Sequence, residues 1–521
     1  MSGRVIVVGA GGAGLTAAIA ARKGGAEVLL LCKTSCESAN CTAYSGGLFS
    51  LASGEVKPDD HYERITRTGR FVNDKEMVRV LADESERSLR TLRDWGVTLD
   101  IGSGRASARD TAPSEIMGGG GMVRELASIA RDEGVNVLEY HAAVRLLTGE
   151  RGVEGVEAVD WRSGRVVSLR GSAVVLATGG GGAIFERTDN PARMTGDGYA
   201  LALEAGLDLV DMEYVQFYPM GWDQPGYPMW MVGLNMVDYI PLTDEDGREF
   251  LREAFPSWGV SSGREANLFA RDRAAVLLAG HVQSGRKALL HLEELSEEDL
   301  NDPDVRVAVM FDLPPEKRAA PVQVSPLQHY FCGGIPVDCD GRSAIPGLYA
   351  CGEVTAGVDG ASRMGGNALT NIVVFGLRAG RAAAEEAGPA TGTLCSDISS
   401  PESLCSFRDG TLPIESRRAL RRIVQRGLSP CRDGEGIRRC IAEMDKWSES
   451  AGRLRLSSSM GRLHALEMRG LELTAGAVAK AALAREESRG VHFRADFPEE
   501  REEWKRRIRV SLCDGKVVAK A

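Results

Sequence analysis

No CxxC pair and no close cluster occurs among the 11 cysteines, so neither an iron-sulfur centre nor a structural zinc can be read from their spacing, and no metal ligand set is expected. Basic charge is also short. The chain has 63 Lys and Arg against 73 Asp and Glu, a net charge of -10, which leaves out the basic face that nucleic-acid binders display. No stretch approaches the roughly 20 apolar residues of a membrane span, and there is no internal repeat or low-complexity tract. Met1-Ser2-Gly3 runs directly into a strand-like apolar segment without a basic n-region or a cleavage site. With an odd number of cysteines, this suggests reduced thiols and a cytoplasmic location. The expectation is a protein that does not span a membrane and has no nucleic-acid partner.

Glycine is abundant, at 62 of 521 residues, and it clusters where backbone would approach a ligand. At roughly 150 residues per domain, two to four domains are expected. Val5-Ile6-Val7-Val8 reads as a strand buried on both faces of a parallel sheet. It ends at Gly9, an alanine-rich helix follows from Leu15 to Lys23, and Val28 to Leu31 forms the next buried strand, making a βαβ opening. Two more strand-to-glycine junctions follow, Ala173–Ala177 into Gly179–Gly182 and Leu348–Cys351 into Gly352. Three such junctions far apart in sequence suggest one ligand held by one sheet. Aromatic residues and prolines concentrate between about Tyr214 and Ser325, followed by a helical stretch from Ala266 to Gly280, as in an inserted domain. A Gly, Thr, Ser and Pro-rich linker follows Ala387, and the charged region beyond Cys405 reads as helical, with Leu463, Leu466, Gly470, Leu473 and Ala477 on one helix face.

Gly9-Ala10-Gly11-Gly12-Ala13-Gly14 fits GxGxxG between strand and helix. The first glycine permits the tight turn, the second lets backbone meet a pyrophosphate, and the third lets helix and strand pack. The acid that usually follows by about 20 residues to bind a ribose is missing, since the second strand ends in Cys32-Lys33, which counts against a plain NAD site.

Ala177-Thr178-Gly179-Gly180 and the Gly352-Glu353 pair resemble the second and third dinucleotide-contacting segments of two-dinucleotide-fold flavoproteins. Four further runs sharpen this. Met194–Gly198, His329–Ile335, Arg363–Leu369 and Ala484–His492 together resemble the succinate dehydrogenase, fumarate reductase and L-aspartate oxidase flavoproteins over nearly the whole chain. The resemblance implies an α/β protein: a Rossmann-like FAD-binding domain (1–213 and 326–388), an α+β capping domain (214–325) and a C-terminal helical domain (405–521). It implies FAD contacts at Gly9, Gly11, Gly12, Gly14, Cys32, Lys33, Thr42, Gly46, Gly47, Ala143, Ala177, Thr178, Gly179, Asp197, Glu353, Arg363, Asn367, Ala368 and Leu369. It also implies hydride transfer between flavin N5 and the C=C bond of a small carboxylic acid. In that chemistry Arg271, within Asn267–Asp272, would be the proton donor, and His329 and Arg363 would bind the carboxylate. An arginine is otherwise rarely an acid, its pKa lying above about 12.

The chain also departs from the family pattern. Gln216–Gly221 has Tyr218 and Met220 where relatives carry His and Thr, and Val232–Asp238 replaces a Thr-Glu-Gly-x-Arg-Gly-Glu signature. Tyr218, Met220 and Val232 are therefore expected to line an apolar end of the substrate pocket, which disfavours a small symmetric dicarboxylate. Ala39–Gly47 contains no histidine, so the FAD is expected to be non-covalent, with Cys41 a packed thiol. L-aspartate oxidation, or a relay subunit passing electrons to an iron-sulfur or other donor protein, are the alternatives to C=C reduction.

Overall fold

β-branched and leucine side chains buried on both faces draw four short strands into one parallel sheet, with a fifth, half-exposed strand at its edge. In this computed structural model, which describes residues 3–109, 118–309, 314–388, 395–398, 410–451 and 454–520, they are β1 (Arg4–Val8), β2 (Glu27–Leu31), β3 (Asn136–Leu138), β4 (Ala173–Leu176) and β9 (Leu348–Ala350). Their order is β9-β4-β1-β2-β3, all parallel. Both glycine runs and Gly352-Glu353 leave the same carboxyl edge of this sheet, where open α/β sheets bind ligands.

Helix α1 (Gly12–Lys23) packs against the long helix α3 (Asn367–Glu386) beneath that edge. A Cβ on Gly14 would come within 1.8 Å of the Gly9 carbonyl oxygen, so only glycine lets α1 start this close to β1.

Residues 215–331 build a second, antiparallel layer. Strands β5 (Val215–Trp222), β6 (Leu242–Thr243), β7 (Leu289–Leu290) and β8 (Val322–Phe331) pair in the order β5-β8-β7-β6, around their own apolar core of Trp222, Leu234, Leu278 and Val324. The helical stretch expected from Ala266 to Gly280 is interrupted. One helix ends at Phe269, Ala270 takes φ -135°, and α2 (Arg271–Gln283) begins at Arg271. The break places Arg271 at a helix start, facing the sheet edge.

Three C-terminal helices, α4 (Pro413–Gly427), α5 (Gly434–Ala451) and α6 (Ser459–Ala484), pack together beside the first layer. Of the helix face read from sequence, Leu463, Gly470, Leu473 and Ala477 are buried. The linker expected after Ala387 lies largely outside the described residues, although Cys395–Ile398 adds an antiparallel strand to Arg165–Arg170.

Candidate functional site

One cavity of about 1110 Å³ begins at Gly9, runs along the sheet edge and ends against the antiparallel layer. Of the expected cofactor contacts, Gly9, Gly11, Cys32, Lys33, Thr42, Gly46, Ala143, Ala177, Thr178, Gly179, Asp197, Glu353, Arg363, Ala368 and Leu369 lie on its wall. Gly12, Gly14, Gly47 and Asn367 do not, for local reasons. The Gly12 amide donates to Thr42 Oγ1 at 3.1 Å, Gly14 faces Gly9, and Gly47 backs onto the Gly118 backbone. Asn367 sits directly behind Gly366, which is on the wall, at the first position of α3.

The polar groups on this wall and directly behind it suit a large polar cofactor. Asn367 is fully buried, yet neither its amide oxygen nor its amide nitrogen has a hydrogen-bond partner, and Thr178 Oγ1 is likewise unpaired. Buried orphans of this kind are rare unless a ligand completes them. Glu353 is buried and accepts the Phe331 amide at 3.0 Å. Burial pushes its carboxyl up to about 7, against the opposing pull of that amide and Arg363. The Gly180 position has no side chain, and a Cβ there would strike Glu353 Oε1 at 2.3 Å.

Lys33 does not offer its ammonium to the cavity. Nζ is held by Asp197 at 2.7 Å and by Glu467 of α6 at 3.0 Å. Glu467 also pairs with Arg193 and Arg417. Burial works against the Glu467 charge, but the three cations more than offset it and hold the carboxyl below its ordinary value. Cys41 is on the wall, and burial, reinforced by Glu353 and Asp189, pushes its thiol well above the usual range. A thiol held protonated is a poor nucleophile.

At the far end the structure brings together three groups that sequence spreads over 92 positions, His329, Arg363 and Arg271. His329 extends from β8, and the Asp189 carboxylate accepts its Nδ1–H at 2.7 Å. Arg363 lies over the Tyr330 ring at 4.3 Å and donates from Nε to Gln216 Oε1 at 3.2 Å. Gln216 returns a bond to the Arg363 carbonyl at 3.0 Å, which fixes the arginine's backbone and side chain together. Arg271 lies over the Tyr218 ring at 5.3 Å and donates from Nε to the Asn267 carbonyl at 3.2 Å. Burial, with Arg363 nearby, pushes its pKa down. Tyr218 stands between these groups, its ring 5.8 Å from that of His329 and its hydroxyl donating to Asn267 Oδ1 at 2.9 Å.

The expectation for Met220 and Val232 is corrected here. Both are fully buried in the core of the antiparallel layer and are not on the cavity wall. Regular alternation would put Met220 on the same face as Tyr218, but the β5–β8 register slips between Tyr218 and Gly221, around Pro219. That irregularity turns Met220 inward. Trp230, Met231 and Gly233 reach the cavity instead of Val232. Sequence reading also missed Asp189 and Gln216. Asp189 lies between the Gly179–Gly182 run and the Met194–Gly198 loop, so the segment bridging two cavity-facing loops had to pass the site.

A family described as FAD binding domain matches residues 4–369, and one described as Fumarate reductase flavoprotein C-term matches residues 417–516. The chain is 31% identical to a fumarate reductase (CoM/CoB) subunit of Methanothermobacter marburgensis, over 97% of this chain and 96% of that protein. It is 33% identical to an L-aspartate oxidase of Caulobacter vibrioides, over 95% and 93% of the two. Among solved structures it is similar to a mutated FrdA of E. coli quinol fumarate reductase, at 25% identity and a TM-score of 0.85, covering 100% of this chain and 96% of that one.

Proposed function

The chain belongs to the FAD-dependent oxidoreductase family of fumarate reductases, succinate dehydrogenases and L-aspartate oxidases, and from that premise we propose that it reduces the C=C bond of an α,β-unsaturated carboxylic acid. The observation that carries this reading is the meeting of His329, Arg363 and Arg271 at one end of the cofactor cavity. When bound, FAD supplies two-electron hydride chemistry at N5, exchanging one hydride with a substrate carbon. The Gly9–Gly11 backbone, Thr178, Glu353 and the amide of Asn367 would hold it, without a covalent bond.

His329 and Arg363 grip the substrate carboxylate. The guanidinium offers two parallel donors, and the Asp189 bond aims the second imidazole nitrogen into the cavity. Holding the carboxylate also stabilises the negative charge that develops as the C=C bond accepts a hydride. Arg271 gives its proton to the carbon that receives the π pair. Its lowered pKa narrows the mismatch that makes arginine a poor acid. Residues 214–325 form the cap that brings Arg271 over the substrate, with 1–213 and 326–388 as the FAD-binding domain and 405–521 as a helical domain. The Methanothermobacter relative is named as one part of a larger enzyme, which supports an electron-donor protein, iron-sulfur or other. Among the described residues no helix is long and apolar enough to cross a membrane.

The test is anaerobic reoxidation of the reduced holoenzyme by fumarate and by a set of 2-enoates, followed by flavin absorbance, alongside peroxide formation from L-aspartate. Reoxidation that is lost in Arg271→Gln supports the reading. Peroxide from L-aspartate with no reoxidation by any enoate overturns it.

A further inference from the structure

We propose that the substrate of this site carries one carboxylate and an apolar arm, a monocarboxylic 2-enoate with an aryl or alkyl group on C3. The inference rests on the reading above and adds the shape of the molecule that is reduced.

The cavity's charges are unevenly placed. His329, Arg363 and Arg271 crowd one side of Tyr218 and supply enough donors for a single carboxylate. Beside Tyr218, whose hydroxyl accepts the Leu234 amide at 3.2 Å, the wall includes Trp230, Met231, Gly233, Leu268 and Ala308, with the neutral amides Asn235 and Asn267, the latter's oxygen taken by Tyr218. The charged side chain on this stretch is an acid, Asp304, already paired with Arg264. Arg193 is bound to Glu467, and Arg105 and Arg109 are exposed, Arg109 being paired with Asp100.

A second carboxylate placed in this slot would lose its water and gain no cation, a penalty of several kcal/mol that an apolar group does not meet. An apolar arm would instead cover surface that is now wet. Tyr44 and Trp230 face each other across the mouth with ring centroids 5.9 Å apart. Tyr44, Leu48 and Leu268 are 43%, 57% and 60% exposed there. Large apolar side chains left open at the mouth of a cavity mark a place that a ligand covers. Because the mouth opens to solvent, the arm can be longer than the slot.

The test compares three acceptors of the reduced holoenzyme: 3-phenylprop-2-enoate, but-2-enoate and fumarate. Calorimetry with the saturated counterparts 3-phenylpropanoate, butanoate and succinate reads binding without turnover. The phenyl acid is expected to exceed both others at least tenfold in kcat/KM, and its saturated form to bind at least tenfold tighter. Leu268→Asp, at an exposed position that folding does not depend on, should reduce the phenylpropanoate-to-butanoate affinity ratio at least tenfold. Fumarate and succinate preferred over the phenyl acids would overturn the inference while leaving C=C reduction intact. Failure of all three acceptors to reoxidise the flavin would overturn both.

Discussion

Glu353→Gln should make the flavin-stripped protein more resistant to heat at pH 8 than at pH 5, relative to the unaltered chain. Burial raises this carboxyl from an ordinary 4.5 to about 7 in the folded state. A raised acid favours its protonated form, so the stability linked to Glu353 is intact below about 4.5 and is lost as pH rises through about 7. With 1.36 kcal/mol per pH unit of displacement, the loss is about 1 kcal/mol at pH 5 and about 3 kcal/mol at pH 8. Glutamine cannot ionise and keeps an oxygen for the Phe331 amide, so it escapes this loss. At about 2.1 cal/mol/K per residue, unfolding 521 residues as one unit carries about 1.1 kcal/mol/K. The melting-temperature advantage of the variant should therefore grow by about 2 °C between the two pH values. Asp359, which burial raises to about 6, is present in both chains and cancels. Scanning calorimetry of both proteins at the two pH values decides the matter, and an advantage that stays constant across them would refute the assignment of Glu353 as a carboxyl lodged in a water-poor site.

Gly11→Val should fold yet fail to retain FAD, because a Cβ at Gly11 meets nothing closer than 3.8 Å and the side chain projects into the cavity; a folded, fully yellow variant would disprove the placement. Acid precipitation of the holoenzyme should leave all flavin in the supernatant, whereas colour in the washed pellet would reveal a covalent bond. Arg363→Lys should raise KM about tenfold or more by replacing a two-pronged donor with a point charge, and Arg271→Gln should chiefly lower kcat; equal effects on KM alone would make Arg271 a binding residue. Asp189→Asn removes a charged acceptor from His329 Nδ1 and should cost about 10- to 100-fold in kcat/KM, the range for a charge-assisted bond, measured against unchanged flavin content.

The glycine loops and the three sheet-edge junctions, and with them a dinucleotide, were legible in the sequence because glycine at a strand end is a local requirement of backbone, independent of distant partners; that the dinucleotide is FAD came through resemblance to flavoproteins. Arg271, His329 and Arg363 were legible only through resemblance to a family, since nothing in their own spacing joins them. The substrate wall was read partly wrongly. Matching Gln216–Gly221 to the family pattern put both Tyr218 and Met220 on the substrate wall; only Tyr218 lies there, because a register slip at Pro219 is a property of the strand pair and leaves no mark on one strand. Asp189 escaped notice for a related reason: an acid in a loop has no periodicity, and its meaning comes from a histidine 140 residues away.

The ion cluster that ties Lys33 to Glu467 and Arg417 sets the order of events in the life of the chain. The ribosome makes the glycine loop first and the clamp on Lys33 more than 400 residues later. Until α6 has emerged, the ammonium beside the cavity has lost a principal counter-charge, and the Asp197 loop lacks the helix on which Gly470 seats it. Among the described residues the cavity wall ends at Ile372, so α6 adds no wall residue; it supplies the buried charge that fixes Lys33 and, through Gly470, the seat of the Asp197 loop.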